Sequence, residues 1–152
     1  MFFAQTIVIL ALSLGGLLKI LGILPALLSG MRDKLTTAGQ AIFAAAMSAL
    51  SINVLIGEQY LSILLSGTAF RPTFERLHLH PKNLSRTVED AGTVINPLVP
   101  WSVCGVFISQ ALGVPVLEYL PYAFFCYLSI LLTIIFGFTG AVSYTHLRAH
   151  ET

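Results

Sequence analysis

The sequence predicts an all-α, polytopic membrane protein, and three observations support this fold class. The 152-residue chain is 56 % hydrophobic and only 10 % charged, whereas soluble domains carry about 25 % charged residues. Apolar stretches close to the roughly 20 residues of a membrane-spanning helix recur along the chain. Short segments with Arg and Lys separate these stretches, as in the cytoplasmic loops of membrane proteins. We therefore expect spanning helices in a lipid bilayer.

The first two predicted elements occupy the N-terminal half of the chain. A helix is expected over about 2–29, kinked where Gly22 and Pro25 interrupt its apolar run. The segment 35–69 is too long for one comfortable helix and too short for two. Because basic residues flank it on both sides, and such loops favour the cytoplasm, a re-entrant hairpin is preferred to a single span. Its non-helical tip is expected at 52–58.

The remaining elements follow from the positions of Arg, Lys and Pro. A cytoplasmic loop is expected over 70–86. A helix broken by Pro97 and Pro100 is expected over about 87–113, and a final spanning helix over about 119–140. The connection between these two helices has no Lys or Arg, which suits the outer face of the membrane.

Residues 142–152 break this pattern abruptly. Their sequence, Val-Ser-Tyr-Thr-His-Leu-Arg-Ala-His-Glu-Thr, matches what a common transposase sequencing adapter would encode if read in frame. We interpret it as a non-native tail and exclude it from fold reasoning. The alternative is a genuine polar cytoplasmic tail.

A polar cluster interrupts the most apolar part of the chain. Glu58 is the sole charged residue between positions 35 and 70. An ionisable group inside a membrane segment is costly, so by default it indicates an ion or proton pathway. Gly57 beside it can break a helix and free backbone oxygens for a cation. Asn53, Glu58 and Gln59 are therefore candidate ion-binding residues.

A second candidate cluster lies in the predicted broken helix. Proline has no amide to bond the carbonyl four residues before it, so Pro97 is expected to free the carbonyl of Thr93, and Pro100 that of Asn96. Both residues also carry side-chain oxygens, and Asp90 lies a turn before Thr93. Hard alkali cations prefer oxygen ligands, and broken helices are where Na+ sites are built. Asp90, Thr93 and Asn96 are therefore candidate ligands, and the carboxylate can carry a proton instead.

Each candidate also has a purely structural interpretation. Prolines occur in membrane helices as kinks, and Asn serves as a hydrogen-bonding contact between helices. Asp90 and Glu89 can cap a helix that starts near residue 87, with Arg86 as a neutralising partner. No Ser/His/Asp set, metal-ligand cluster or Gly-rich phosphate loop stands in a suitable context. We therefore expect neither an enzyme nor a cofactor, and, since the few basic residues lie in loops, no nucleic-acid partner.

Four motifs stand out once these residues are placed. They are Gly57-Glu-Gln-Tyr-Leu-Ser-Ile-Leu-Leu-Ser-Gly67, Phe70-Arg-Pro72, Leu79-His-Pro-Lys-Asn-Leu-Ser-Arg-Thr-Val-Glu-Asp-Ala-Gly-Thr93 and Pro97-Leu-Val-Pro-Trp101. Together they closely resemble the NhaC family of sodium/proton antiporters, some of whose relatives exchange malate for lactate. The resemblance implies that residues 1–141 are the C-terminal part of a longer membrane domain, which needs the missing N-terminal helices of the same protein. It also implies an ion-transporter-superfamily fold with re-entrant hairpins, inverted repeats and a homodimer, in the bacterial plasma membrane.

Three hypotheses of function stay open. The leading one is a Na+/H+ antiporter in which Asp90, Thr93 and Asn96 face Asn53, Glu58 and Gln59, with Na+ and H+ as the transported ions and one carboxylate exchanging its proton for Na+. The second is an exchanger of an organic anion or amino acid coupled to Na+. The third, from another class, is a non-transporting membrane assembly subunit.

Overall fold

The computed structural model describes residues 35–140, together with a few single positions between residues 6 and 22. The predicted helix over 2–29 and the tail over 142–152 lie outside its continuous part. Within 35–140 every regular element is helical. The elements are α1 (Ala38–Ile56), α2 (Gln59–Arg76), α3 (Pro81–Gly92), α4 (Val103–Leu112), α5 (Val116–Tyr119) and α6 (Phe124–Thr139), with 3-10 turns at Asn96–Leu98 and Leu120–Tyr122.

Helix α1 is long and apolar enough to cross a membrane. Its run of alanines favours a helix, and Thr37 and Gln40 form a capping box at its start, with the Thr37 hydroxyl accepting the Gln40 N–H at 3.3 Å. Gly57 ends the helix in the left-handed conformation (φ 74°), and its N–H donates to the carbonyl of Asn53 at 2.7 Å. Both ends of α1 are therefore fixed by local sequence.

The turn between α1 and α2 is shorter than predicted. Only Gly57 and Glu58 lie outside the two helices, so the expected non-helical tip over 52–58 is wrong. Helices of 19 and 18 residues fit on either side of this turn. They fit because the glycine ends one helix in a single left-handed residue and the glutamate caps the next helix at once.

The segment 70–86, predicted as a loop, is also largely helical. Helix α2 continues to Arg76 and α3 begins at Pro81, so the connection is residues 77–80 alone. Proline is tolerated in the first turn of a helix, where its amide has no partner to lose. His80 caps the same helix, since its Nδ1 accepts the N–H of Lys82 at 3.1 Å. The predicted start of this helix near residue 87 is therefore wrong, because the helix begins at Pro81.

Two helix pairs are bent at short breaks. The first, Pro81–Leu98 with α4, bends by 43° at the Pro97–Pro100 break that the sequence predicts. The second, Val116–Tyr122 with α6, bends by 56°. This second bend lies within the spanning helix expected over about 119–140, because Leu120–Tyr122 form a 3-10 turn that contains Pro121 before α6 begins at Phe124.

Helices α1, α2 and α3 pack against one another, and α6 lies against α1 and α3. Small side chains let these helices approach closely, as is common in membranes. The Ser48 and Ser66 hydroxyls meet at 3.2 Å between α1 and α2, and the Ser62 hydroxyl donates to the carbonyl of Ala49 at 2.5 Å. The fully enclosed alanines are Ala41, Ala45, Ala46, Ala49 and Ala91.

The outer surface of this bundle carries large apolar side chains. Leu55, Phe107, Phe125 and Phe138 are each more than 60 % exposed. Contiguous exposed apolar surface is rare on soluble monomers and marks contact with a membrane or another protein. The bundle therefore presents an apolar exterior around an interior that contains several polar groups.

Candidate functional site

The two predicted helix breaks lie against each other. The N–H of Val103 donates to the carbonyl of Gly57 at 3.1 Å, and the indole N–H of Trp101 donates to the carbonyl of Val54 at 2.6 Å. A Cβ placed on Gly57 would stand 3.1 Å from the carbonyl oxygen of Trp101. The absence of a side chain at this glycine therefore allows the α1–α2 turn to touch the start of α4.

Two fully buried amide side chains join the breaks. Asn96 Nδ2 donates to Asn53 Oδ1 at 2.6 Å, and Asn53 Nδ2 donates to the carbonyl of Gly92 at 2.5 Å. Asn96 Oδ1 in turn accepts the N–H of Cys104 at 3.3 Å. We term Asn53, Gly92, Asn96 and Cys104 the amide clasp, because it links α1, α3 and α4 through one chain of hydrogen bonds.

The backbone carbonyls of Thr93 and Asn96, expected to be free, are both occupied. The Thr93 carbonyl accepts the N–H of Asn96 at 3.2 Å, and the Asn96 carbonyl accepts the N–H of Val99 at 3.1 Å and the Ser102 hydroxyl at 2.6 Å. The prediction fails because the chain tightens into a 3-10 turn, in which the amide three residues on replaces the bond that proline cannot make.

Glu58 and Gln59 lie beside the amide clasp. Glu58 is only 5 % exposed and caps α2, with its Oε2 accepting the N–H of Leu61 at 2.9 Å. Gln59 Oε1 accepts the thiol of Cys104, a member of the clasp, at 3.8 Å. The structure thus brings four of the six predicted ligands, Asn53, Glu58, Gln59 and Asn96, around one contact between helix breaks.

Asp90 makes its contacts elsewhere, with α6. Its Oδ1 accepts the Ser129 hydroxyl at 2.7 Å, and its Oδ2 accepts the Thr133 hydroxyl. Arg86, one turn earlier on α3, places its Nε 3.6 Å from Oδ2. We term these four residues the Asp90 cluster. Asp90 therefore bonds α6 and not the α1–α2 turn, contrary to the prediction that it faces Asn53, Glu58 and Gln59.

Thr93, the remaining predicted ligand, stands at the C-terminal cap of α3, where its N–H donates to the carbonyl of Glu89 at 2.8 Å. Sequence reasoning missed Ser102, Ser129 and Thr133. The last two carry hydroxyls four residues apart in an apolar helix, so they lie on one helix face. That spacing could have pointed to them, but nothing in the sequence pairs α6 with Asp90.

The architecture defines the class of protein. A helical bundle with an apolar exterior, a long apolar helix, two bent helix pairs and a buried glutamate is a helical integral membrane protein. The chain belongs to the Na+/H+ antiporter family, which matches residues 1–141.

Several curated proteins are similar to this chain. It is 48 % identical over 140 residues to the Na+/H+ antiporter NhaC of Alkalihalophilus pseudofirmus, covering 92 % of this chain and 30 % of that protein. It is 41 % identical over 133 residues to the Na+/H+ antiporter NhaC of Bacillus subtilis, covering 88 % of this chain and 29 % of that protein. It is 44 % identical over 135 residues to the arginine/ornithine antiporter ArcD of Halobacterium salinarum, covering 89 % of this chain and 28 % of that protein.

The chain therefore spans about 30 % of the length of the curated relatives it matches. No solved structure matches the chain. These similarities identify the family of this chain. They do not by themselves assign it the activity of the relatives, which are about three times as long.

Proposed function

We propose that this chain is the C-terminal part of an NhaC-type Na+/H+ antiporter of the bacterial plasma membrane. The observation that carries the proposal is the meeting of two helix breaks through buried amides, inside a bundle with an apolar exterior. Interrupted helices that contact each other within the membrane are the places where secondary transporters bind ions. The names of the two NhaC relatives agree with this function.

The proposed chemistry uses neutral oxygens together with a carboxylate. Asn53, Gln59 and Asn96 would supply side-chain amide oxygens and Thr93 its hydroxyl oxygen, which suit a hard cation. Either Glu58 or Asp90 would bind Na+ when ionised and release it when protonated. Because Na+ and H+ compete for the same carboxylate, a site that opens alternately to the two sides of the membrane would carry Na+ in one direction and H+ in the other.

The proposal extends to the surroundings of the site. The α1–α2 pair would form a re-entrant hairpin, part of an ion-transporter-superfamily fold, and the protein would work by alternating access as a homodimer. Helices preceding this segment in the full-length protein would cover the exposed apolar faces. Neither a cofactor, a nucleic acid nor an enzymatic reaction enters this function.

Vesicles containing the full-length protein test the role of the two carboxylates. We expect Glu58→Gln and Asp90→Asn each to abolish Na+-dependent proton flux, measured with a pH-sensitive dye. Each substitution keeps a side-chain oxygen, so the α2 cap and one hydroxyl contact of Asp90 remain possible while the charge is lost.

The matched control is Glu75→Gln, which removes a carboxylate that is exposed and paired with Arg71 on the outside of α2. This control should transport like the wild type, because an exposed ion pair contributes little. Wild-type flux in both carboxylate variants would rule out the proposed site.

A second candidate function is the exchange of organic substrates. The observation that favours it is the 44 % identity to a protein named as an arginine/ornithine antiporter. Counterflow of radiolabelled arginine, malate and lactate in the same vesicles separates the two functions. Accelerated uptake of one of these compounds, without Na+-dependent proton flux, would establish the second function in place of the first.

A further inference from the structure

The Asp90 cluster gathers hard oxygen atoms from two helices at one point. The two carboxylate oxygens of Asp90 come from α3, and the hydroxyl oxygens of Ser129 and Thr133 come from α6. The Asp90 side chain is only 15 % exposed. Helices α1 and α6 contain no charged residue, and the charged residues that line one cavity with Asp90 are Lys82, Arg86 and Glu89 of its own helix. Helix α2, which also packs against α3, carries its charged residues near its C-terminal end, at Arg71, Glu75 and Arg76.

A small cavity adjoins this cluster and contains an unpaired donor. It has a volume of about 20 Å³ and is lined by Asn83, Arg86 and Thr133 among others. A cavity needs about 10–15 Å³ to hold one water molecule. Asn83 is 9 % exposed, and its Nδ2 has no hydrogen-bond partner among the residues that the structure describes. A buried N–H donor of this kind calls for an acceptor such as a water oxygen.

The guanidinium of Arg86 occupies the position of a cation in this cluster. Its Nε lies 3.6 Å from Asp90 Oδ2, and its side chain is 46 % exposed. The same guanidinium lies 5.6 Å from the centre of the Phe136 ring on α6. Cation–π attraction can hold the guanidinium there when the carboxylate has another partner.

We propose that Asp90, Ser129 and Thr133 form an alkali-cation site for Na+, completed by a water molecule in the adjoining cavity, and that Arg86 competes with the cation for the carboxylate. This inference rests on the proposed antiporter function. It adds two ligands on α6, Ser129 and Thr133, and an internal competitor for the carboxylate, Arg86. This site shares no residue with the amide clasp.

Exchange at this site needs only small movements. With no cation bound, both hydroxyls donate to the carboxylate and Arg86 neutralises it. When Na+ enters, the hydroxyls rotate so that their lone pairs face the ion, and the guanidinium withdraws onto Phe136. The water accepts from Asn83 Nδ2 and turns its other lone pair to Na+. Protonation of Asp90 removes the negative charge and releases the ion.

The test measures the KM for Na+ in proteoliposomes of the full-length protein, using proton flux and uptake of 22Na+. We expect Ser129→Ala and Thr133→Val each to raise this KM by about tenfold, because each loses one oxygen that contacts a charge. Thr133→Ser keeps the hydroxyl and should stay within about twofold of the wild type. Arg86→Gln should change the KM in the opposite direction, lowering it by about three- to fivefold, while Arg86→Lys should not lower it.

Thr139→Val is the matched control on the same helix. Its hydroxyl is exposed and donates to the carbonyl of Ile135 at 2.9 Å, so its loss should leave the KM unchanged. If Thr133→Val is not recovered in folded form, the KM values of Ser129→Ala and Arg86→Gln test the site, since the first should rise and the second should fall.

Different outcomes would overturn the α6 cation site and the proposed antiporter function. A wild-type protein without Na+-dependent proton flux or 22Na+ uptake would overturn the antiporter function itself. An active wild type whose KM is unmoved by Ser129→Ala and Thr133→Val would overturn the α6 site alone. A rise of the KM in Arg86→Gln would show that Arg86 supports the cation instead of competing with it, and would overturn its proposed role.

Discussion

Gly57 shows how a single residue determines the contact between the two helix breaks. Its backbone is left-handed (φ 74°), a conformation that residues with a Cβ adopt only at a cost in conformational free energy. It also lies close to two backbone atoms of the next break, since a Cβ would stand 3.1 Å from the Trp101 oxygen and 3.2 Å from the Ser102 Cα. Neighbouring Glu58 then starts α2 as its cap. Chain reversal and site assembly therefore depend on the same two residues.

We expect Gly57→Ala to destabilise the folded protein by more than Gly113→Ala. Gly113 has a similar left-handed backbone (φ 68°), but nothing lies within 4 Å of a Cβ placed there. Gly113→Ala should therefore cost only the conformational term, about 1–2 kcal/mol. Gly57→Ala adds the displacement of rigid backbone atoms and should separate the breaks. Unfolding by denaturant titration in detergent measures both variants, and equal losses of stability would contradict the close-contact argument.

At the scale of elements, the bent pair α3–α4 is attached to α1 by side-chain amides instead of by apolar packing alone. Asn53 and Asn96 satisfy each other, the Gly92 carbonyl and the Cys104 amide. Buried polar groups inside a membrane protein need such partners, because lipid offers none. The clasp therefore fixes the orientation of the broken helix relative to α1, which is what positions its oxygens.

We expect a double-mutant cycle to show coupling between the two asparagines. Asn96→Ala leaves Asn53 Oδ1 without its donor, and Asn53→Ala leaves Asn96 Nδ2 without its acceptor, so each should cost about 1–3 kcal/mol. The double variant should cost less than the sum of the single variants, because only the first substitution breaks the shared bond. Free energies of unfolding in detergent give the coupling, and strict additivity would mean that the hydrogen bond contributes nothing.

At the scale of the whole molecule, α6 reaches α3 because glycines allow it to pack closely on α1. A Cβ on Gly137 would lie 2.8 Å from Ile42 Cγ2, and one on Gly39 would lie 2.6 Å from Phe138 Cδ1. This close crossing brings Ser129 and Thr133 to Asp90. The assembly of the Asp90 cluster is thus a consequence of interhelical distance.

We expect Gly137→Ala to destabilise the bundle by about 1–3 kcal/mol, because Ile42 is β-branched and stiff and the helices must move apart. The control is Gly67→Ala in α2, where nothing lies within 4 Å of the added Cβ. That variant should be neutral or more stable by up to about 1 kcal/mol, since alanine favours a helix over glycine. Thermal unfolding in detergent compares the two, and a stable Gly137→Ala protein would contradict close packing of α6 on α1.

Much of the helical layout could be predicted from local sequence signals, but the length of the α1–α2 turn and the bounds of the α2–α3 connection were not. The apolar composition and the proline break at Pro97 and Pro100 are local properties, and the structure places a bend there. The loop predicted over 70–86 rested on its basic residues, which do not report whether the backbone is helical, and Pro81 begins a helix inside it. The tip over 52–58 was misjudged because one left-handed glycine suffices to turn the chain.

The sequence by itself determined a helical membrane protein, two of the places where its helices break, and most of the polar residues that gather near those two breaks, because apolar composition, proline chemistry and the rarity of charge in apolar segments are local properties. Only the tertiary structure decided which of those residues meet. Asn53 pairs with Asn96, while Asp90 turns to Ser129 and Thr133. Such partnerships depend on how closely α1, α3 and α6 approach one another, and interhelical distances are properties of packing that no single segment contains.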